Sequence, residues 1–409
     1  MATLAGAARG GVPPACIASP PLPDAHARAC ARDFIACLPR ELGVRIVGML
    51  PLRSVLAARL VCRHWQRIAD EPAVWLELLV RAGWAPHAPA HAWQRLYVAL
   101  TDLERRWRLQ TRRNGRLEAF IPPTCALSGH TGSIYALAID GAVLSGARDN
   151  SIRVWDDGRC IQQLDAHAAS VLALAAHGGT AVSGSSDGTA RVWRRGAAGY
   201  ELQRELRGHT LGVLAVAFNA HYIVTSSRDR RICVWRRDGT LEHVFAAHTS
   251  AVNACCICGG HVASGGGDGR IFVFALADGA TLAALDGPRC GIACIAYDGT
   301  HVYTGGSDGC VRVWSIALQI PIATFAAHTG LVRALNYDSA RGVLATGGWD
   351  GRVRLWDVRA VPRGAHPRLL LDRSEHARVF ATHMDATRLV SGGEARTLCV
   401  TDFGCAECT

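Results

Sequence analysis

The sequence predicts a mainly β protein: a seven-bladed β-propeller preceded by a small all-α domain and a helical linker. Three observations carry this. From residue 125 onward one segment recurs about every 40 residues, long enough for four short strands per unit. Six copies end on one spacing, an aspartate six residues before an aromatic: Asp149 and Trp155, Asp187 and Trp193, Asp229 and Trp235, Asp268 and Phe274, Asp308 and Trp314, Asp350 and Trp356. Between residues 33 and 80 the period changes, and apolar residues fall three or four apart, as on short amphipathic helices.

Within a repeat, a histidine precedes an alternating apolar run, as in SGHTGSIYALAID and AAHTGLVRALNYD. A second apolar run ends in Ser or Thr, and the aspartate follows four residues later. Asp-Gly at 187–188, 268–269, 308–309 and 350–351 predicts hairpin turns, because glycine accepts positive φ without strain. The run Ser151-Ile152-Arg153-Val154-Trp155 alternates with period two, as a half-buried strand should. Two units are imperfect. In the fifth, Pro288 stands at the histidine position, although Thr304, Asp308 and Trp314 remain; in the seventh, aligning Ser391 puts Glu375, Ala395 and Thr401 at the His, Asp and Trp positions. Too few residues follow Asp402 for a last strand, so segment 117–127 is expected to supply it and leave no open sheet edge at the seam. The propeller is placed at 117–409.

Ahead of it, residues 33–80 carry Leu38, Leu42, Ile46, Val47 and Leu50, then Leu56, Leu60, Val61, Trp65 and Ile68, then Val74, Trp75, Leu78 and Leu79. Pro39 suits a first helical turn and Pro51 is expected to end a helix. Residues 81–116 read as a helical linker, with Trp93, Leu96, Leu100, Leu103 and Trp107 on one face and a basic stretch of Arg105, Arg106, Arg108, Arg112 and Arg113. Residues 1–32 read as a disordered Ala/Pro-rich tail, without the apolar core of a secretory signal.

The repeat resembles the WD-repeat family over about 117–403. The resemblance implies a buried hydrogen-bonded tetrad in each blade. Its members here are His130, Ser145, Asp149 and Trp155; His167, Ser183, Asp187 and Trp193; His209, Thr225, Asp229 and Trp235; and His328, Thr346, Asp350 and Trp356. The helical module, with its order L-P-x-E-L…I…L…L…V-C-x-x-W…W-x-x-L, resembles the F-box. That resemblance implies docking on an Skp-type adaptor, and through it a cullin, by Leu38, Pro39, Leu42, Ile46, Leu50, Val61 and Trp65. Together the two imply the substrate-recognition subunit of a Skp–cullin–F-box (SCF-type) ubiquitin ligase, a receptor without catalysis of its own. The alternative is a WD-repeat scaffold that assembles protein or RNA-containing complexes.

Composition narrows the classes further. Hydrophobic content of 49% against 19% charged residues is that of a folded chain. The net charge of +10 is carried wholly by arginine, since no lysine occurs. A basic balance admits nucleic acid or acidic peptides as partners, but the arginine runs read first as solvated faces, so nucleic acid is not expected. No run of 18 apolar residues suggests a membrane span. The segments 184–188 and 305–309 match G-x-S-x-G, but in phase with the repeat at strand-to-strand turns, where no nucleophile elbow forms. Sixteen scattered cysteines read as reduced thiols, which places the chain in the cytoplasm or nucleus. Neither a metal nor a cofactor is expected.

The substrate site is expected on one face of the ring. In WD propellers that face carries the residue before the turn aspartate and the two residues flanking the first buried aliphatic of the inner strand. Those flanking residues share one side by strand alternation. The resulting candidates are Tyr135, Arg148, Arg228, Arg333, Trp349, Arg378 and Phe380. Arg148, Arg228 and Arg333 match the positions that phosphopeptide-binding F-box–WD receptors use, which implies a protein substrate with an acidic or phosphorylated degron.

Overall fold

The computed structural model describes residues 38–81, 93, 94, 97, 101, 124–287, 290–385 and 387–403. The tail, most of the linker with Trp107 and its arginines, and Pro288 lie outside the described residues. The chain divides into two compact units between residues 78 and 79.

The first unit is helical: α1 (Arg40–Gly48), α2 (Leu52–Ala58), α3 (Arg63–Ala69) and the start of α4 (Pro72–Arg81). Pro39 caps α1 from outside with an extended backbone, and its carbonyl accepts from the Leu42 and Gly43 amides. Pro51 follows the end of α1, as the sequence suggested, and it also opens α2. Its ring holds φ at −63° and its carbonyl accepts from Ser54 and Val55. A residue with no N–H loses nothing ahead of a first turn, where that donor would be unpaired. Val47, Val55, Ile68, Ala69, Val74 and Trp75 form the buried side of this unit.

The second unit is a ring of seven four-stranded antiparallel sheets. Blades 1 to 6 occupy 134–165, 171–207, 213–245, 252–286, 292–326 and 332–374, each built from four consecutive strands. Blade 7 has three consecutive strands, Val379–Met384, Arg388–Gly393 and Thr397–Asp402; its outer strand is Thr124–Ser128, from before blade 1. Pairing runs from Thr124 with Thr401 to Ser128 with Thr397, so the two ends of the ring are stitched by backbone hydrogen bonds. Among the described residues no helix is long and apolar enough to cross a membrane.

Apolar packing between blades holds the ring together. The first inner-strand residue is a buried β-branched aliphatic in every blade: Ile134, Val171, Val213, Val252, Ile292, Val332 and Val379. Burying each such side chain stabilises by about 1.5–3 kcal/mol. Its neighbour across the blade interface is usually glycine. A Cβ on Gly146 would stand 2.5 Å from Val171, and one on Gly392 3.0 Å from Ile134 across the seam.

Candidate functional site

Four blades carry one hydrogen-bond chain from a tryptophan to an aspartate. In blade 1, Trp155 Nε1–H donates to Ser145 Oγ at 2.8 Å, Ser145 Oγ lies 2.7 Å from His130 Nε2, and His130 Nδ1 lies 2.9 Å from Asp149. Blade 2 repeats this with Trp193, Ser183, His167 and Asp187, blade 3 with Trp235, Thr225, His209 and Asp229, and blade 6 with Trp356, Thr346, His328 and Asp350. One proton arrangement satisfies every member. The hydroxyl accepts from the indole and donates to Nε2, so the imidazole is neutral and donates from Nδ1 to the carboxylate. Burial pushes His130, His167 and His328 below the usual histidine value, in agreement with a neutral ring. Burial alone would raise Asp149, but hydrogen bonds from Ser151 and His130 outweigh it and hold the carboxyl at about 2.

The remaining blades vary the set. Blade 4 keeps His248, Ser264 and Asp268, while Phe274 offers no indole donor. In blade 5, Trp314 still donates to Thr304 at 2.9 Å, and Asp308 pairs with Arg312 at 2.5 Å. In blade 7, Ser391 donates to Glu375, and Arg373 reaches Glu375, Ser391 and Thr401 together. An arginine from the outer strand of blade 6 (Arg368–Ser374) thus takes the place of the missing His–Asp pair.

These sets anchor the loops that build the binding face. Asp149 also accepts from the Thr131 amide, which fixes the loop leading into the inner strand. The residue before each turn aspartate, or before Ala395 in blade 7, then donates its amide to a carbonyl of that loop. Arg148 bonds to Ser133 at 2.8 Å, and the same bond recurs as Ser186 to Ser170, Arg228 to Gly212, Gly267 to Ala251, Ser307 to Gly291, Trp349 to Leu331 and Glu394 to Arg378.

Each inner strand carries a bulge immediately after its buried aliphatic. The residue skipped by the ladder is Tyr135, Leu172, Leu214, Asn253, Ala293, Arg333 or Phe380, and all seven line one axial channel of about 160 Å³. A bulge leaves one residue unpaired and re-aims its side chain, here toward the axis. Strand alternation alone does not account for this. The footprint was nevertheless present in the sequence, as Ile or Val, then any residue, then Ala or Cys.

The channel mouth brings five of the seven candidates together. Tyr135 and Phe380 pack with ring centroids 5.5 Å apart. Arg333 also lines a cleft of about 260 Å³ with Trp349, over the small residues Gly291, Ala293 and Ser307. The Arg378 guanidinium lies 5.1 Å from the centroid of the Trp349 ring, a cation–π contact, and 4.0 Å from Glu394. Burial pushes Arg333 below the usual guanidinium value, with Cys294 and Tyr135 as its electrostatic neighbours and no ion pair to it among the described residues. It remains a cation at neutral pH. Arg148 and Arg228 are exposed and line neither cavity. A separate cavity of about 440 Å³ at the closing seam, beside Trp155 and Asp402, shares no residue with the channel. Among the described residues no cluster of His, Cys, Asp and Glu is placed to hold a metal.

On the helical unit, Pro39, Leu42 and Val61 are exposed, and Leu38, Ile46, Leu50 and Trp65 are half-buried. Met49, Leu56 and Leu60 join the exposed apolar set, Leu60 at 89%. Sequence reasoning did not select Met49 or Leu60 for contact, because periodicity assigns residues to helices without saying which side is left uncovered. Trp75 and Leu78, also part of the F-box-like order, are core.

Comparison with known families agrees with this architecture. The F-box-like family matches residues 35–81. The WD domain, G-beta repeat family matches 122–156, 158–194, 200–236, 239–274, 279–315 and 319–357, more than half the chain. The chain belongs to the F-box/WD-repeat proteins. The three consecutive strands of blade 7, at 379–402, lie outside these matches, consistent with its altered hydrogen-bond set. Among curated F-box/WD-repeat relatives, F-box and WD repeat domain-containing 11-A of Danio rerio is 30% identical over 173 residues, covering 34% of this chain and 30% of that protein. F-box/WD repeat-containing protein 2 of Homo sapiens is 29% identical over 148 residues, covering 34% and 31%. The chain thus spans under a third of the length of these relatives. The solved structure of the RRP9 WD40 repeats superposes with a TM-score of 0.63 at 22% identity, covering 70% of this chain and 99% of that one, a likeness of fold.

Proposed function

We propose that this F-box/WD-repeat chain is the substrate-recognition subunit of an SCF-type ubiquitin ligase. Its helical module binds an Skp-type adaptor, and through it a cullin. The propeller face holds an acidic or phosphorylated degron of a protein substrate. The observation that carries this reading is the F-box-matched module, which leaves Leu42, Met49, Leu56, Leu60 and Val61 in water. An apolar surface of that kind marks a protein contact. The chain itself transfers nothing; it raises the local concentration of a substrate beside the conjugating enzyme.

The channel mouth supports this degron chemistry. A half-buried guanidinium with no ion pair to it among the described residues is complemented by an anion, and each charged hydrogen bond it makes contributes about 1.5–3 kcal/mol. The cleft between Arg333 and Trp349 adds room for an apolar side chain next to that anion. The cytoplasm or nucleus is the compartment in which this reading operates. A phosphopeptide array is the test. Capture should favour acidic and phosphorylated peptides, weaken with salt, and be lost in an Arg148→Ala, Arg333→Ala double variant. Equal capture of neutral peptides, or full capture by the double variant, contradicts the reading.

A further inference from the structure

The chain has 44 positions with a basic long side chain, and every one is arginine. Packing does not require this throughout. Some arginines use their planar fork, as Arg236 does in meeting both oxygens of Glu242 at 2.9 Å. Others do not. The Arg207 side chain is 80% exposed with a 2.6 Å contact to Glu205, and Arg270 is half-exposed beside the exposed Asp286. At such surface pairs an ammonium supplies the same charge. Scarcity of A-rich codons does not by itself empty the lysine class. Asparagine shares lysine's first two codon letters and occurs at Asn114, Asn150, Asn219, Asn253 and Asn336.

Resting on the receptor reading above, we infer that this chain is built to escape modification by its own ligase. A bound receptor is held permanently within reach of the conjugating enzyme. Ubiquitin transfer needs a neutral amine nitrogen. Its lone pair bonds to the thioester carbonyl carbon, the carbon–sulfur bond breaks, the enzyme's cysteine leaves as thiolate, and the amine loses a proton. A lysine deprotonates readily enough to serve as that acceptor, whereas a guanidinium, with its pKa above about 12 and its lone pairs delocalised, does not. The 409 residues offer no lysine amine, so substrates are marked while the receptor is spared.

Reconstitution tests this. The 409-residue chain, carrying a lysine-free tag, is assembled with adaptor, cullin, RING subunit, activating and conjugating enzymes and ubiquitin. It is compared with an Arg207→Lys, Arg270→Lys variant, which keeps the charge and touches neither binding surface. The unaltered chain should stay unmodified and the variant should gain ubiquitin. Ubiquitin accumulating equally on both, as hydroxylamine-sensitive esters or on the α-amine, overturns the inference. A variant that also stays unmodified within an assembled complex overturns it too, because geometry and not composition would then protect the chain. Failure of the complex to assemble instead removes the receptor reading, and the inference with it.

Discussion

Ser391 donates a 2.6 Å hydrogen bond to Glu375, occupying in blade 7 the place that a serine–histidine contact holds in blades 1 and 2. The carboxylate is nearly buried, and Arg373 is its counter-charge. Arg373→Met leaves that charge uncompensated and should cost about 3–5 kcal/mol, whereas adding Glu375→Met should restore most of the loss. Chemical denaturation of both variants checks this. A double variant as unstable as the single one contradicts the assignment.

The aspartates of blades 3 and 5 should differ in the same measurement. The Asp229 side chain is 3% exposed and accepts from His209, the Thr210 amide and the Arg231 amide. Asp229→Ala strands those donors at about 1–3 kcal/mol. The Asp308 side chain is 33% exposed and its partner Arg312 16% exposed, so water reaches this pair more than it reaches Asp229. Asp308→Ala should therefore be the milder change, and the reverse order would show that the tetrads are not what holds these turns.

Stability should fall with acid in two stages. Burial lowers His130, His167, His248 and His328 below their ordinary value of 6.5, so below that pH the unfolded chain binds more protons than the folded one. Their contribution is complete above about 6.5 and is lost as pH falls through the lower folded values. Asp149, held at about 2, adds a second loss below about 3.9. A melting temperature flat from pH 8 to 7 and declining below about 6.5 is expected; one that rises between pH 7 and 5.5 would mean that the buried imidazoles are charged.

Much of this was legible in the sequence for a physical reason: a tetrad needs four residue types at fixed separations, and a buried aliphatic must recur in every blade. The repeat therefore singled out His130, Ser145, Asp149 and Trp155, and the WD-repeat resemblance implied that they form a tetrad. What eluded it depends on three-dimensional neighbours. Arg373 belongs to the outer strand of blade 6, so aligning blade 7 alone finds Glu375 without its partner. Alternation placed Tyr135 and Arg333 on one face, yet the bulge, a backbone event, is what turns them into the channel. Arg148 and Arg228 share the face by position but line neither cavity, whereas Trp349, at the equivalent position of blade 6, lines the cleft.

The account predicts that Arg333 dominates peptide capture over Arg148. Arg333→Ala alone should remove most binding of a captured phosphopeptide, while Arg148→Ala alone should weaken it mildly and mainly at low salt. Fluorescence anisotropy on the single variants separates the two. A larger loss for Arg148→Ala would move the anion away from the channel mouth.

Adaptor capture decides whether the helical module is a docking surface. The full chain, bearing Leu38→Ala and Pro39→Ala, is offered to an Skp-type adaptor beside the unaltered chain, with the propeller's melting transition recorded for each. The unaltered chain should bind adaptor, the double change should abolish binding, and the propeller transition should stay unchanged. Undiminished capture by the double variant, or none by the unaltered chain, would contradict this.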